Sequence, residues 1–327
     1  MKVCVVGGTG NISTSIVKLL LELGHDVTCF NRGERGAVPD GSKVIIGDRL
    51  DRDRFEKRMQ QEGFDAAIDA ICFDRETALS DIRAFRGVGH FIQISTVCTY
   101  GVDYDVLPVG ETHPLRPTTD YGRNKVAADE AFLMAYEQEQ FPVSIVKPST
   151  TYGPQLGLLR QIAWDFSWIS RVLEGRPILI SGDGHAIHQF LHVDDAALCF
   201  AYMLGRPACI GQTYNMVREG FTTWRRYHET AMRVLGRTVE MIGVNCSDLD
   251  SLGVPGNGIC RDIFSHNCYY SAEKLFQAVP EFRPRISLEE GIRRVFHAMQ
   301  DQKRIPASEP GGWEDKIIEQ VVRRSLQ

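Results

Sequence analysis

The sequence has no Cys-x-x-Cys pair, no run of about 18 apolar residues, no surplus of positive charge, and no internal repeat or low-complexity tract. Each absence excludes something. The nine cysteines are an odd number scattered from Cys4 to Cys268, which supports neither a disulfide framework nor a thiolate zinc site, and no metal is expected. Without a long apolar run no membrane helix is expected, and the opening MKVCVV is too short for a signal peptide, so a reducing, cytoplasmic setting is the expectation. Lys and Arg number 37 against 42 Asp and Glu, a net charge of −5; that balance lacks the broad positive field of a nucleic-acid binder. What is present is a globular composition, 43% hydrophobic and 24% charged over 327 residues, enough for one large domain or two.

Short apolar runs alternate with helix-length amphipathic stretches through the first half. Strands are predicted at 2–6, 26–30, 43–46, 65–71, 90–95 and 142–147, and helices at 11–23, 51–61, 75–85 and 120–138. This alternation implies parallel βαβ units and an α/β fold, a Rossmann-type doubly wound parallel sheet. After Pro148 the rhythm loosens, and Gly and Pro punctuate 153–184. The expected division is a Rossmann domain over 1–150, to which 189–216 return with a helix at 194–204 and a strand at 213–216. A smaller C-terminal substrate-binding domain takes 151–188 and 217–327, expected over the sheet's carboxyl edge. The segment 313–322 reads as an amphipathic helix on Trp313, Ile317 and Val321.

Between the first strand and first helix lies Gly7-Gly8-Thr9-Gly10-Asn11-Ile12-Ser13. A dinucleotide pyrophosphate needs a sharp turn, a close backbone approach, and a helix N-terminus presenting free N–H groups. Gly7 and Gly10 supply the first two, Asn11 and Ile12 open the helix, and Ser13 stands where a third glycine is usual. A plain structural turn is the competing reading. At the end of the second strand, where the cofactor ribose is read, stand Asn31 and Arg32 with Arg35 nearby. Arginine suits a 2′-phosphate, so NADP is favoured over NAD; alternatively Arg32 stacks on adenine and Asn31 binds the NAD ribose.

Tyr121 and Lys125 stand four positions apart near the start of a helix, and therefore on one face. A free phenol titrates near pH 10, and a neighbouring ammonium favours the phenolate, so such a tyrosine could exchange a proton with an alcohol. Ser95-Thr96-Val97-Cys98-Thr99-Tyr100-Gly101, at the end of the preceding strand, offers hydroxyls to hold the substrate oxygen. Alone, a Tyr-x-x-x-Lys spacing arises often by chance.

Taken together, these blocks resemble the extended short-chain dehydrogenase/reductase family, of NAD-dependent epimerase/dehydratase type. The glycine loop, the segment ending in Tyr100-Gly101, the Tyr121 and Lys125 pair, and Lys147-Pro148 to Tyr152-Gly153-Pro154 fall in that family's order. So do His192-Val193-Asp194-Asp195, Tyr214-Asn215 and Ser287-Leu288-Glu289-Glu290-Gly291. The resemblance implies Tyr121 as acid/base, Lys125 on the nicotinamide ribose, Thr96 as the substrate-oxygen hydroxyl, Asp48 as an adenine contact and Pro148 beside the cofactor. It also implies a homodimer paired through two helices of the cofactor domain.

Two departures narrow the reading. Sugar 4,6-dehydratases of the family carry an Asp-Glu pair after the threonine, where this chain has Val97 and Cys98, so dehydration is disfavoured. Enzymes that epimerise carbons beside a ketone place a cysteine where Cys98 falls; a thiol there is a candidate acid/base, against the ordinary reading of a buried inert cysteine. Nucleotide-sugar members commonly have an arginine where this chain has His188, a poorer diphosphate clamp. Either the arginine comes from elsewhere, with Arg160 and Arg261 as candidates, or the ligand carries no nucleotide diphosphate. His192 reads as a structural histidine. The wording GGTGNIS, FNRG and AICFD also resembles a bacterial branch related to plastid stem-loop-binding proteins. The expected function is an NAD(P)-dependent oxidoreductase or epimerase acting on a secondary hydroxyl of a sugar or sugar-like small molecule, possibly nucleotide-linked, through a keto intermediate. A simple NADP-dependent ketone reductase or alcohol dehydrogenase is the alternative, as is a non-catalytic RNA-binding or redox-sensing relative.

Overall fold

A computed structural model describes residues 1–325 and resolves the chain into two compact units. The first comprises Met1–Thr151, Leu191–Glu219 and Tyr270–Arg285. Its centre is a seven-stranded parallel sheet: β1 (Lys2–Val6), β2 (Asp26–Asn31), β3 (Lys43–Ile46), β4 (Ala66–Asp69), β5 (His90–Ile94), β6 (Val143–Pro148) and β7 (Thr213–Met216). The strand order is β7-β6-β5-β4-β1-β2-β3, so the direction of winding reverses between β1 and β4. Ligands of such sheets bind at the carboxyl ends of the strands beside this reversal.

The sheet is covered on both faces because its strands alternate apolar residues on both sides. Val3 and Val5 of β1 pack with Ile16, Val17 and Leu20 of α1 (Asn11–Glu22), and with Ala196, Phe200 and Met203 on the helix Val193–Met203. Cys4 and Val6 point the other way, into Phe55 and Met59 of α2 (Arg52–Glu62), Ala78 and Ile82 of α3 (Arg75–Ala84), and Ala128 and Phe132 of α4 (Asp120–Glu139). A period of two along each strand serves two cores, as parallel sheets require.

Two differences from the sequence-based expectation bear on the site. The fourth strand, predicted to run to 71, leaves the ladder after Asp69, whose Oδ1 accepts the N–H of Ile71 at 2.5 Å. A carboxylate satisfying the backbone two residues on makes a turn where apolar content alone suggests more strand. Residues Tyr270–Arg285, expected in the smaller domain, belong to the first unit; the Asp195 carboxylate there accepts the N–H of Arg285.

The second unit comprises Tyr152–Phe190, Gly220–Tyr269 and the chain from Ile286 onward. Helices Trp168–Glu174, Trp224–Leu235 and Leu288–Asp301 enclose a core containing Trp168, Trp224, Tyr227, Phe264 and Met299, beside the parallel strand pair Ile178–Ser181 and Met241–Val244. The expected terminal helix is present as Trp313–Ser325, with Ile317 buried. Glu314 in its first turn pairs with buried Arg160 and, at 3.3 Å, with buried Arg171. No helix among the described residues is long and apolar enough to cross a membrane.

Candidate active site and cofactor pocket

The glycine loop sits at the carboxyl end of β1. Gly7 has φ +85°, and a Cβ there would lie 2.7 Å from Ile71 Cγ2, so only glycine allows this turn against the β4 exit. Gly10 caps α1, and Ser13 accepts its N–H at 2.9 Å while donating to the carbonyl of Gly7. The serine in the third glycine's place therefore braces the loop from within, a role that small size alone does not reveal. The first turn of α1, opening with Asn11 and Ile12, carries no acidic residue, so no side-chain charge there repels an anion.

Beside the loop lies a pocket of about 370 Å³ lined by Gly7, Gly10, Asn31, Arg32, Arg35, Asp48, Arg49 and Phe73, among others. This groups the loop, the ribose-reading positions and the adenine candidate around one volume. Asn31 Nδ2 is a buried donor without a hydrogen-bond partner, which suits a ligand acceptor. Arg32 is half-exposed and lies 3.5 Å from Glu34. Asp48 is exposed, with one carboxylate oxygen accepting the Leu50 N–H at 2.9 Å. A glycine cradle, an acid-free helix start and an orphaned amide are the features a dinucleotide requires, and the residues fit one.

Thr96, Cys98 and Tyr121 come together at the carboxyl end of β5. Thr96 opens a single 3₁₀ turn, Val97–Tyr100, and its hydroxyl accepts the Cys98 N–H at 3.1 Å. Thr119 caps α4 in the same manner through the Gly122 N–H, which sets Tyr121 in the first helical turn. A Cβ on Gly122 would lie 2.7 Å from the Cys98 carbonyl oxygen, so the missing side chain lets the helix start close on the threonine turn. The Tyr121 phenol stands near enough to Thr96 and Cys98 for both to act on its ionisation.

Lys125, one turn on, is buried, and its Nζ donates to the carbonyls of Cys72 and Ile94, each at 2.7 Å. Nζ stands 6.0 Å from the centre of the Tyr121 ring and 4.9 Å from that of Phe73. The expectation that the lysine draws the phenol down is not met by these residues. Burial pushes the Tyr121 pKa up, Cys98 adds to the rise, and Thr96 only partly opposes it. Burial raises the Cys98 thiol as well, and Thr96 beside it opposes the rise only in part, so both groups hold their protons at neutral pH.

Beneath the site is a network that sequence reasoning missed. Ser95 donates to Asp129 Oδ2 at 2.6 Å, Lys147 lies 3.4 Å from the same carboxylate, and Lys147 donates to Thr99 at 2.9 Å. Ser95 and Thr99 flank the Thr96–Cys98 segment, so the ion pair fastens both of its ends to α4 and β6. The signal was available, since Asp129 continues the spacing of Tyr121 and Lys125 by another four residues. Pro148, the other residue of that block, ends β6 opposite Met216.

His188 does not behave as a ligand residue. It is 1% exposed in the second unit, against Trp224, Phe264 and Phe190, and burial lowers its pKa to about 3. A neutral imidazole enclosed by aromatic rings has no charge to present, which argues against the substrate-binding role expected of it. Of the two arginines considered in its stead, Arg160 is buried between Asp165 and Glu314, whereas Arg261 is half-exposed beside Asp250 and Asp262. His192 is buried at the start of the Val193–Met203 helix, where its Nδ1 accepts the Asp194 N–H, the structural reading.

Comparison with known proteins agrees with this arrangement. Residues 3–216 match the model of the NAD dependent epimerase/dehydratase family. A 2′-dehydrokanamycin reductase of Streptomyces kanamyceticus is 28% identical over 245 residues, spanning 75% of this chain and 69% of that protein. The chloroplast stem-loop binding protein of 41 kDa b of Arabidopsis thaliana is 27% identical over 237 residues, 68% of this chain and 60% of that protein. Among solved structures, the UDP-glucose 4-epimerase of Thermus thermophilus, a complex with NAD, shares the fold with a TM-score of 0.74 at 21% identity, over 92% of this chain and 99% of that one. The chain is a member of the NAD dependent epimerase/dehydratase family.

Proposed function

We propose that the chain is an NAD(P)-dependent oxidoreductase that reduces a ketone, or oxidises the matching secondary alcohol, on a sugar-like small molecule. The observation carrying this reading is the grouping of Thr96 and Tyr121 beside a lysine whose ammonium is fixed on two backbone carbonyls. The Gly7–Ser13 loop, Asn31 and the pocket around Asp48 would hold the cofactor. The cofactor, when bound, supplies hydride exchange at the reacting carbon. Thr96 then holds the substrate oxygen and Tyr121 gives it a proton, or accepts one in the reverse direction. Lys125 spends two of its three N–H groups on Cys72 and Ile94, which leaves one for the cofactor ribose.

Net reduction is favoured over epimerisation. A phenol whose pKa is raised is a proton donor at neutral pH, as ketone reduction needs. The similarity to a 2′-dehydrokanamycin reductase points the same way. Arg32 and Arg35 at the ribose position favour NADP, and the buried, neutral His188 disfavours a nucleotide diphosphate on the substrate. The deciding experiment offers reduced NADP with a panel of keto-sugars and follows the nicotinamide absorbance. Loss of one cofactor per ketone supports the reductase. Sugar interconversion with no net change of absorbance would establish the epimerase instead. Tyr121→Phe should abolish either.

A further inference from the structure

Arg49 follows the adenine candidate Asp48 and lines the cofactor pocket, yet its side chain is only 10% exposed. One arm donates to Asp69 at 2.5 Å and the other to Asp81 at 2.8 Å, and both carboxylates are fully buried. Three ionisable groups in one buried cluster are expensive, and an apolar filling would hold the same elements together. What the cluster does that an apolar filling cannot is fix direction. Asp48–Leu50 leave β3, Asp69 ends β4, and Asp81 sits on α3, so a single planar guanidinium ties three elements that wall the pocket. Asp69 passes the restraint on: its second oxygen holds the N–H of Ile71, whose side chain abuts Gly7 of the glycine loop.

We propose that Arg49 is a positioning residue for the adenosine half of the cofactor, holding the Asp48–Leu50 segment, the β4 exit and the glycine loop in register. This rests on the dinucleotide reading of the pocket. The role needs the fork of arginine, since a lysine is a single point donor and cannot span Asp69 and Asp81 in fixed geometry. Burial raises the Asp81 pKa, Arg49 opposes that rise and Asp69 adds to it, so the guanidinium is what favours charge in the cluster.

The test measures affinity for ADP, which fills the adenosine half alone, and for NADP, by calorimetry on the full chain. Arg49→Met leaves two buried carboxylates without a cation and is expected to unfold. The informative variants are Arg49→Lys and the triple Arg49→Met, Asp69→Asn, Asp81→Asn, which removes the charges together. Each should retain the parent's circular dichroism and lose affinity for ADP by about tenfold to a hundredfold, the scale of a lost charged hydrogen bond. A folded triple variant that binds ADP as tightly as the parent would overturn the inference, because charge compensation would then be the whole of Arg49's role. So would an Arg49→Lys that is folded and undiminished. Failure of the parent itself to bind ADP or NADP would instead overturn the dinucleotide reading, and this inference with it.

Discussion

Burial and proton chemistry pull in one direction at Tyr121. The residue is 45% exposed, yet desolvation still outweighs the other influences on its phenol and raises its pKa. In the reductive direction Tyr121 must start protonated, so kcat/KM for a ketone should stay level across neutral pH and fall only as the phenol ionises, above pH 10. The oxidative direction should show the opposite slope. A pH–rate profile checks the sign, and a reductive rate rising through neutral pH would contradict it. Tyr121→Phe should lower kcat by about 10²- to 10⁴-fold, and Thr96→Ala by about 10²- to 10³-fold through loss of the hydroxyl that holds the oxygen. Cys98→Ala should cost far less, because a thiol held protonated by burial is no base. At this scale the grouping of Thr96, Cys98 and Tyr121 was legible in the sequence through spacing and chain order. Arg49 was not, because a lone charged residue reads as solvated surface until its buried partners are known.

At the scale of elements, the site depends on how closely one turn meets another. Gly7→Ala would force a positive φ on alanine and press its methyl on Ile71, so cofactor affinity should fall more than thermal stability does. The Asp129–Lys147 pair makes a different demand. Removing one partner by Lys147→Met leaves a buried carboxylate that burial already pushes toward neutrality, a cost of about 3–5 kcal/mol. Pairing it with Asp129→Asn should return much of that stability, which denaturant unfolding of the single and double variants would show. An additive pair of effects would count against the ion pair. The strands and helices themselves were legible because both faces of the sheet are apolar and each helix shows one apolar stripe. The end of β4 was not legible, since Ala70 and Ile71 continue the apolar run while the Asp69 carboxylate turns the backbone away.

For the molecule as a whole, acid should be destabilising through three buried histidines. Burial lowers His90 to about 4 and His188 and His228 to about 3, whereas an unfolded histidine titrates near 6.5. Below pH 6.5 the unfolded chain binds protons that the folded chain refuses, so stability is full above that pH and falls as pH drops toward 3–4. Each histidine contributes about 1.4 kcal/mol per pH unit in that window. Thermal unfolding between pH 7 and 5 measures this, and His188→Phe, which keeps an aromatic ring in the same place, should flatten the slope. The second unit was the less legible part of the chain. Its aromatic core draws on segments far apart in sequence, and Tyr270–Arg285 leave it for the first unit, a partition no local pattern announces.

Under the proposed function, Tyr121 moves a proton during reduction of a ketone. The most direct measurement compares wild type with Tyr121→Phe for turnover of reduced NADP on a responsive keto-sugar, alongside NADP affinity by calorimetry. Affinity should be unchanged and turnover lost by at least about a hundredfold. Equal turnover in the two proteins would contradict that role.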